Sequence, residues 1–279
     1  MKGKSKYWNK ISQPLIFLVI CLIPIIQSCQ EPDPFPITPQ IQFNNIQYIE
    51  LLENGNPDSL ILYFDFQDGD GDLGLEGYEN GSPYQDYNFY LDYDSIPITY
   101  NQTNIKYPIR IYDPVKDKLT IVGSQDIRPS YDCINYDILY MDYINKEYLA
   151  PGTNPDDVDP NIYDLDTIFL ERNRYRNNIE VKYYRKRGTN NYEEIDWRYL
   201  TSEYGCGISF DGRFPILDAE QMNDSGSLEG TIRYAMVSTG FRTVLRKDTF
   251  NIKFQIIDRS LHISDIAETG DITLDQIIR

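Results

Sequence analysis

Alternation of apolar and polar residues is the strongest structural pattern in this chain. Apolar residues stand at every second position of one segment: Leu60, Leu62, Phe64 and Phe66. The same period of two recurs at residues 178–186 and at residues 250–256. Side chains spaced in this way lie on one face of a β-strand, so the three segments predict half-buried strands.

Weaker strand patterns fill much of the remaining chain, and helical periodicity is scarce. They lie at residues 41–52, 84–100, 109–112, 118–122, 136–143, 168–170, 192–197 and 229–237. The Gly-Thr-Asn-Asn sequence at residues 188–191 separates two of them and predicts a hairpin turn. Short strands at regular spacing are typical of a β-sandwich, so we expect an all-β fold.

The N-terminus has the pattern of a secretory signal. Four lysines and no acids stand in residues 1–10, and an apolar run follows at residues 14–26. That run is short for a membrane span and contains Pro24. We therefore predict that residues 1–28 are a signal peptide.

Residues 26–29, Ile-Gln-Ser-Cys, resemble a bacterial lipobox, in which the cysteine is acylated after cleavage. The resemblance implies that Cys29 carries the lipid and anchors the protein to a membrane without a spanning helix. Four prolines lie just beyond it, so residues 29–40 predict an extended tether. The alternatives are a plain cleaved signal or a signal anchor.

The charge of the chain limits its partners. The net charge is −17, and removing residues 1–28 with their four lysines leaves 22 basic and 43 acidic residues, or −21. Nucleic acid and anionic membrane faces would repel such a chain. Divalent cations, a glycan or another envelope protein remain as partners.

An acidic segment at residues 154–161, interrupted by Pro155 and Pro160, predicts a domain boundary. The expected organisation is an N-terminal β domain at residues 41–160 and a C-terminal β-sandwich domain at residues 161–279. Cys133 and Cys206 are the two cysteines left after the signal and the lipid site. They predict either a disulfide or two buried free thiols.

An acidic loop follows the strand at residues 60–66. Counted from Asp68, its oxygen donors occupy the ligand positions of an EF-hand calcium loop: Asp68, Asp70, Asp72, Gly74 by its carbonyl, Glu76 and Glu79. Leu73 stands where an EF-hand has Gly, and a strand precedes the loop where an EF-hand has a helix. The loop is therefore interpreted as either a Ca²⁺ loop on a β scaffold or a solvated Asp/Gly turn.

Three segments carry a resemblance to a family: the strand and loop at residues 60–74, residues 209–217, and residues 248–264 with a trailing strand at 269–274. They resemble a group of Bacteroidota lipoproteins with immunoglobulin-like β-sandwich folds. The resemblance implies a lipoprotein of the outer membrane or cell surface. It implies no established activity.

Catalytic motifs are absent from the sequence: it has no His-Glu-x-x-His, no Gly-x-Ser-x-Gly and no P-loop. The single histidine, His262, is interpreted as structural. We therefore expect a non-enzymatic envelope protein with a binding or structural role. The alternative is a glycan-binding accessory lipoprotein of a polysaccharide-uptake system, in which Trp197 and the tyrosines would stack on sugars instead of packing the sheets.

Overall fold

The computed structural model describes residues 35–51, 57–149, 153–217 and 226–279. These residues are mostly β-structure with short helices. The strands are β1 (Gln40–Ile49), β2 (Asp58–Asp68), β3 (Tyr87–Phe89), β4 (Ile109–Asp113), β5 (Lys118–Gly123), β6 (Tyr136–Asp142), β7 (Glu147–Tyr148), β8 (Asp164–Arg172), β9 (Ile179–Lys186), β10 (Tyr192–Ile195), β11 (Leu228–Ser238), β12 (Phe250–Ile256) and β13 (Ala267–Glu268). Two short helices follow late in the chain, α1 (Phe241–Leu245) and α2 (Leu274–Ile277). Single 3-10 turns lie at Pro155–Asp157, Arg174–Arg176 and Trp197–Tyr199.

Four antiparallel sheets organise the described strands. Their orders are β1-β2-β11, β10-β9-β12-β13, β3-β8-β6-β7 and β4-β5. The inward residues of the first two sheets belong to one hydrophobic core. Phe64 of β2 and Phe254 of β12 meet there with ring centroids 5.2 Å apart. The alternation that predicted β2, β9 and β12 is therefore the pattern that buries this core.

β1 contains a bulge that explains its irregular sequence pattern. Its apolar positions change from odd numbers, Ile41 and Phe43, to even numbers, Ile46 and Tyr48. The register of β1 on β2 shifts between Phe43 and Asn45. The extra residue of a bulge restores the inward direction of the later side chains.

The predicted boundary near residue 160 does not separate the sheets. β2 pairs with β11, and β6 pairs with β8, so strands from both sides of residue 160 lie in the same sheets. Residues 36–279 form one compact unit. Residues 155–157 lie in a short connection, where the Asn154 side chain accepts a hydrogen bond from the Asp156 amide.

Two predicted strands differ from the structure in length or position. Within residues 84–100, only β3 is a strand, because the Asp92 side chain accepts from the Ile96 amide at 3.0 Å and closes a turn. The trailing strand predicted for residues 269–274 lies earlier in the chain: β13 is Ala267–Glu268, and within residues 269–274 only Ile272 forms an isolated bridge, to Phe250. Thr273 and Gln276 form a capping box that begins α2, and such reciprocal bonds favour a helix start.

Cys133 and Cys206 are bonded to each other, with their Cα atoms 5.0 Å apart. The disulfide joins the segment before β6 to the segment after the 3-10 turn at residues 197–199. Of the two alternatives that the sequence left open, the structure has the disulfide.

Several predictions concern residues outside the described ranges: the signal peptide at residues 1–28, the lipid site at Cys29, and the first part of the tether. In the described ranges, no helix combines the length and the apolar character that crossing a membrane requires.

Candidate metal centre

The acidic loop begins where β2 ends, at Asp68. The Gly69 amide donates to the Pro36 carbonyl at 2.9 Å, and the Asp72 amide donates to Asp68 Oδ2 at 3.0 Å. Gly71 has a φ of +68°, a left-handed conformation that glycine adopts without a steric penalty. The alternating Asp and Gly residues thus fold the chain back over the end of β2.

A second loop lies against the first and follows β12. Its Asp258 accepts from the His262 amide at 2.7 Å and contacts His262 Nδ1 at 2.8 Å. The Arg259 amide donates to the Asp72 carbonyl, and Ser260 Oγ donates to Asp72 Oδ2 at 2.7 Å. These bonds fix the loop of β12 to the loop of β2.

The two loops bring four carboxylates together: Asp68, Asp70, Asp72 and Asp258. Each offers one oxygen, and these oxygens all lie within 4.8 Å of one another. Asp68 is fully buried and Asp258 is 3% exposed, whereas Asp70 is exposed and Asp72 is half-buried. A group of this kind could hold a metal ion through hard oxygen ligands.

Two oxygens of this group are buried without a hydrogen-bond partner. They are Asp68 Oδ1 and Asp72 Oδ1. A carboxylate removed from water is costly unless a donor, a proton or a cation compensates it. These two oxygens therefore distinguish the cluster from an ordinary solvated acidic turn.

The electrostatics of the cluster agree with its geometry. Burial, together with the charges of Asp70 and Asp72, raises the pKa of Asp68 to about 7. Burial also raises the pKa of Asp258. The hydrogen bond to Asp258 and the nearby carboxylates raise the pKa of His262. A bound cation would favour the charged carboxylates and oppose the first two shifts.

Glu79, expected as the last ligand of an EF-hand register, lies in a different interaction. Both of its carboxylate oxygens accept from Arg259, at 2.6 and 2.9 Å, and this ion pair lowers the pKa of Glu79. Glu76 is also outside the four-carboxylate group. Its carbonyl accepts from the Arg213 guanidinium at 2.8 Å.

The chain leaves the cluster after Asp72 because its leucines enter the core. Leu73 is fully buried and Leu75 is 3% exposed. The Leu75 amide donates to the Phe214 carbonyl at 3.0 Å. Gly74 has a φ of +104°, and a Cβ there would lie 2.3 Å from the Ile216 Cα. The role of Gly74 in the structure is thus close packing of two backbones.

Asp258 is the cluster member that the sequence analysis missed. The one sequence feature that points to Asp258 is its position just beyond the strand pattern at residues 250–256. Its proximity to Asp68 depends on how β2 and β12 face each other across the core. His262, interpreted as structural, orients this carboxylate through the two contacts described above.

The comparisons with known proteins find no match, whether among protein-family models, curated proteins or solved structures. The case for a metal ion at the four carboxylates therefore depends on their own geometry.

Trp197, one of the aromatic residues considered with the tyrosines as a sugar platform, lies inside the protein. Trp197 is 7% exposed and packs against Tyr183, Phe210 and Phe241, with ring centroids 5.0–5.4 Å away. It therefore packs the core, as one of the two interpretations had it.

Proposed function

We propose that this chain is a non-enzymatic, lipid-anchored protein of a bacterial outer membrane whose β-structure is braced by Ca²⁺. The anchor is inferred from the signal pattern and Cys29. An immunoglobulin-like β-sandwich is the architecture we propose, supported by the single core that the first two sheets share. The role that follows is structural or binding, at the cell envelope.

One observation carries the calcium proposal: Asp68 Oδ1 is buried, has no partner, and belongs to a group of four converging carboxylates. Every side-chain ligand offered is an oxygen, which suits Ca²⁺ or Mg²⁺ more than softer metals. Ca²⁺ accepts irregular sets of six to eight oxygens, whereas Mg²⁺ requires a near-ideal octahedron and retains water. Carboxylates from two loops favour the more tolerant ion.

The cation would act as a brace between two sheets. Asp68 ends a strand of the first sheet, and Asp258 follows a strand of the second. A shared ion would join those ends and offset the repulsion among the four carboxylates. Because an ion that binds only the folded state stabilises it, calcium would raise the free energy of unfolding.

Calcium should raise the melting temperature of the chain expressed from residue 30 onward. At a hundredfold excess over Kd, one bound ion contributes about 2.7 kcal/mol. For a chain of this size, the expected rise is roughly 5–10 °C relative to EDTA. Differential scanning calorimetry in CaCl₂, MgCl₂ and EDTA measures it, and we expect Mg²⁺ to have a smaller effect.

Asp68→Asn should abolish the calcium-dependent shift, because it removes the buried charge that faces the ion. Glu76→Gln is the matched control, since it neutralises an acid of the same loop outside the cluster, and the shift should persist. Equal melting temperatures of the parent protein in CaCl₂ and EDTA would remove calcium from the proposal.

Replacing Cys29 with alanine should prevent acylation of the full-length chain. We expect loss of palmitate labelling and accumulation of the uncleaved precursor, because processing of a lipoprotein signal requires its cysteine. Cys21→Ala, in the same segment, is the control and should leave both unchanged. Palmitate incorporation in Cys29→Ala would show that the lipid site is elsewhere.

A further inference from the structure

A polar trench lies away from the metal centre, formed by two adjoining cavities of about 470 and 610 Å³. Five residues line both cavities and make them continuous: Arg174, Glu180, Arg198, Ser209 and Asp211. The first cavity extends along the outward side chains of β9 and β12. The second extends to the disulfide.

The second cavity gathers arginines in a strongly acidic chain, and each of them is paired with one carboxylate. Four arginines line the second cavity: Arg172, Arg174, Arg176 and Arg198. Only three acids line it with them: Asp137, Glu180 and Asp211. Since acids outnumber basic residues 43 to 26 in the whole chain, this local excess of arginine is unusual. It marks the second cavity as a place where an oxyanion could accept from guanidinium N–H groups that the paired carboxylates leave unused.

Three of these arginines use one edge of the guanidinium group, Nε and Nη2, for hydrogen bonds within the protein. Arg174 and Arg198 each donate through Nε and Nη2 to one carboxylate, those of Glu180 and Asp196. Arg172 donates through the same two nitrogens to the Cys133 carbonyl, and its Nη2 also donates to Asp137 Oδ2 at 3.2 Å. Among the described residues, no partner binds the Nη1 group of these three arginines. Arginine prepared in this way loses little side-chain entropy when it binds an oxyanion.

Of the four arginines that line the second cavity, Arg176 has the longest ion pair. Its side chain is 34% exposed, and its ion pair with Asp86 spans 3.7 Å. It has capacity for a second oxyanion contact, since a guanidinium carries five N–H donors in a planar fork.

The walls of the trench are rigid. The 3-10 turn that carries Arg174 and Arg176 begins at Asn173, a residue 1% exposed whose amide donates to the carbonyls of Pro83 and Gln85. The facing wall includes Cys206, which is bonded to Cys133. A preformed wall avoids the cost of ordering loops when a ligand binds.

The first cavity combines hydrogen-bond donors and acceptors with exposed apolar side chains, among them Ile208 and Ile266. Lys182 and Glu194 face each other at 3.9 Å, and the Lys253 ammonium lies 5.3 Å from the centre of the Tyr184 ring. Sugar hydroxyls both donate and accept hydrogen bonds, so such a surface suits them.

We propose that the trench binds an acidic oligosaccharide. Its carboxylate or sulfate group lies among Arg172, Arg174, Arg176 and Arg198, and its neighbouring sugar rings extend along the first cavity over Tyr184. The ligand class follows from the combination of free guanidinium edges, a rigid cavity and a mixed polar wall.

Isothermal titration calorimetry on the chain from residue 30 onward tests this proposal. The probes are tetragalacturonate for a carboxylate, a heparin-derived tetrasaccharide for a sulfate, and maltotetraose as the neutral control. We expect one or both acidic probes to bind, with affinity that falls as salt rises, and maltotetraose to bind at least tenfold more weakly. The acidic probe that binds identifies the anionic group.

Arg176→Gln should weaken binding of the acidic probe about tenfold, which corresponds to one lost charged hydrogen bond. Arg187→Gln is the matched control, because Arg187 is exposed, pairs with Glu193 and lies outside the trench lining. Its affinity should equal that of the parent protein. Unchanged melting temperatures of both variants establish that they are folded.

Three results would overturn the proposal. They are no detectable binding of either acidic probe, an affinity for the acidic probe that Arg176→Gln leaves unchanged, or an affinity for maltotetraose equal to that for the acidic probe. Polyglutamate is a further probe. If it binds as tightly as the saccharides and loses affinity in Arg176→Gln, the trench recognises acidic peptides and the saccharide assignment is wrong.

Discussion

Replacing Cys133 and Cys206 with serine should lower the free energy of unfolding by about 4 kcal/mol. The two cysteines are 73 residues apart, and the closed loop restricts the unfolded chain in proportion to the logarithm of its length. The Cys133 amide also donates to the Tyr204 carbonyl at 2.8 Å, but a hydrogen bond, unlike the disulfide, does not restrict the unfolded chain. Urea unfolding of the chain from residue 30 onward measures the change.

Reductant provides the internal control for this experiment. Without residues 1–29, Cys133 and Cys206 are the only cysteines, so dithiothreitol should shift the parent protein to the stability of the double variant. The double variant itself should not respond. Each single serine variant should lose nearly the same stability as the double, because the bond is lost once. A parent midpoint that reductant does not change would show that the bond adds nothing to stability.

Clear alternation predicted three strands that bury the main core, and the weaker patterns located most of the other strands, among them β4, β5, β6 and β11. β2, β9 and β12 have their apolar residues at the predicted positions because each contributes one face to that core. The length of β3 was overestimated, because hydrogen bonds from the backbone to side chains close turns that apolar spacing does not reveal.

Pairing between distant strands could not be predicted from local patterns. β2 and β11 are more than 150 residues apart and pair along their whole length, as the register of Asp68 with Leu228 shows. A polar, proline-containing segment looked like a domain boundary because its composition is that of any exposed connection. Local composition reports exposure, whereas sheet order depends on long-range contacts.

The cluster of four carboxylates could be predicted only in part, for the same reason. Asp68, Asp70 and Asp72 converge because the Asp-Gly repeat turns sharply, and that is a local property. The fourth carboxylate, that of Asp258, lies 186 positions after Asp72 in the chain (258 − 72). The EF-hand spacing suggested Glu79 in that role, but Arg259 binds Glu79. Spacing within one loop describes a site fully only when that loop supplies all the ligands.

In EDTA, the protein should lose stability as the pH rises from 5 to 8. The pKa of Asp68 is about 7 in the folded state, against about 3.9 in an unfolded chain. Between those values the folded state holds a proton that the unfolded state has lost, so stability falls as pH rises and levels off above pH 7. The raised pKa values of Asp258 and His262 act in the same direction. A tenfold difference in proton affinity between the folded and unfolded states corresponds to about 1.4 kcal/mol, which makes the expected loss a few kcal/mol.

Calcium should reverse this slope, because the ion binds deprotonated carboxylates and its affinity therefore increases with pH. Asp68→Asn should flatten the slope in EDTA, since its amide does not titrate, and should also remove the effect of calcium. Urea midpoints at pH 5, 6, 7 and 8, with and without CaCl₂, measure both effects. A midpoint in EDTA that rises across this range would mean that Asp68 is solvated in the folded protein. The Asp-Gly repeat would then be the ordinary turn of the alternative interpretation. A fall in EDTA and a rise in calcium would instead show that the four carboxylates are assembled at a cost that the cation offsets.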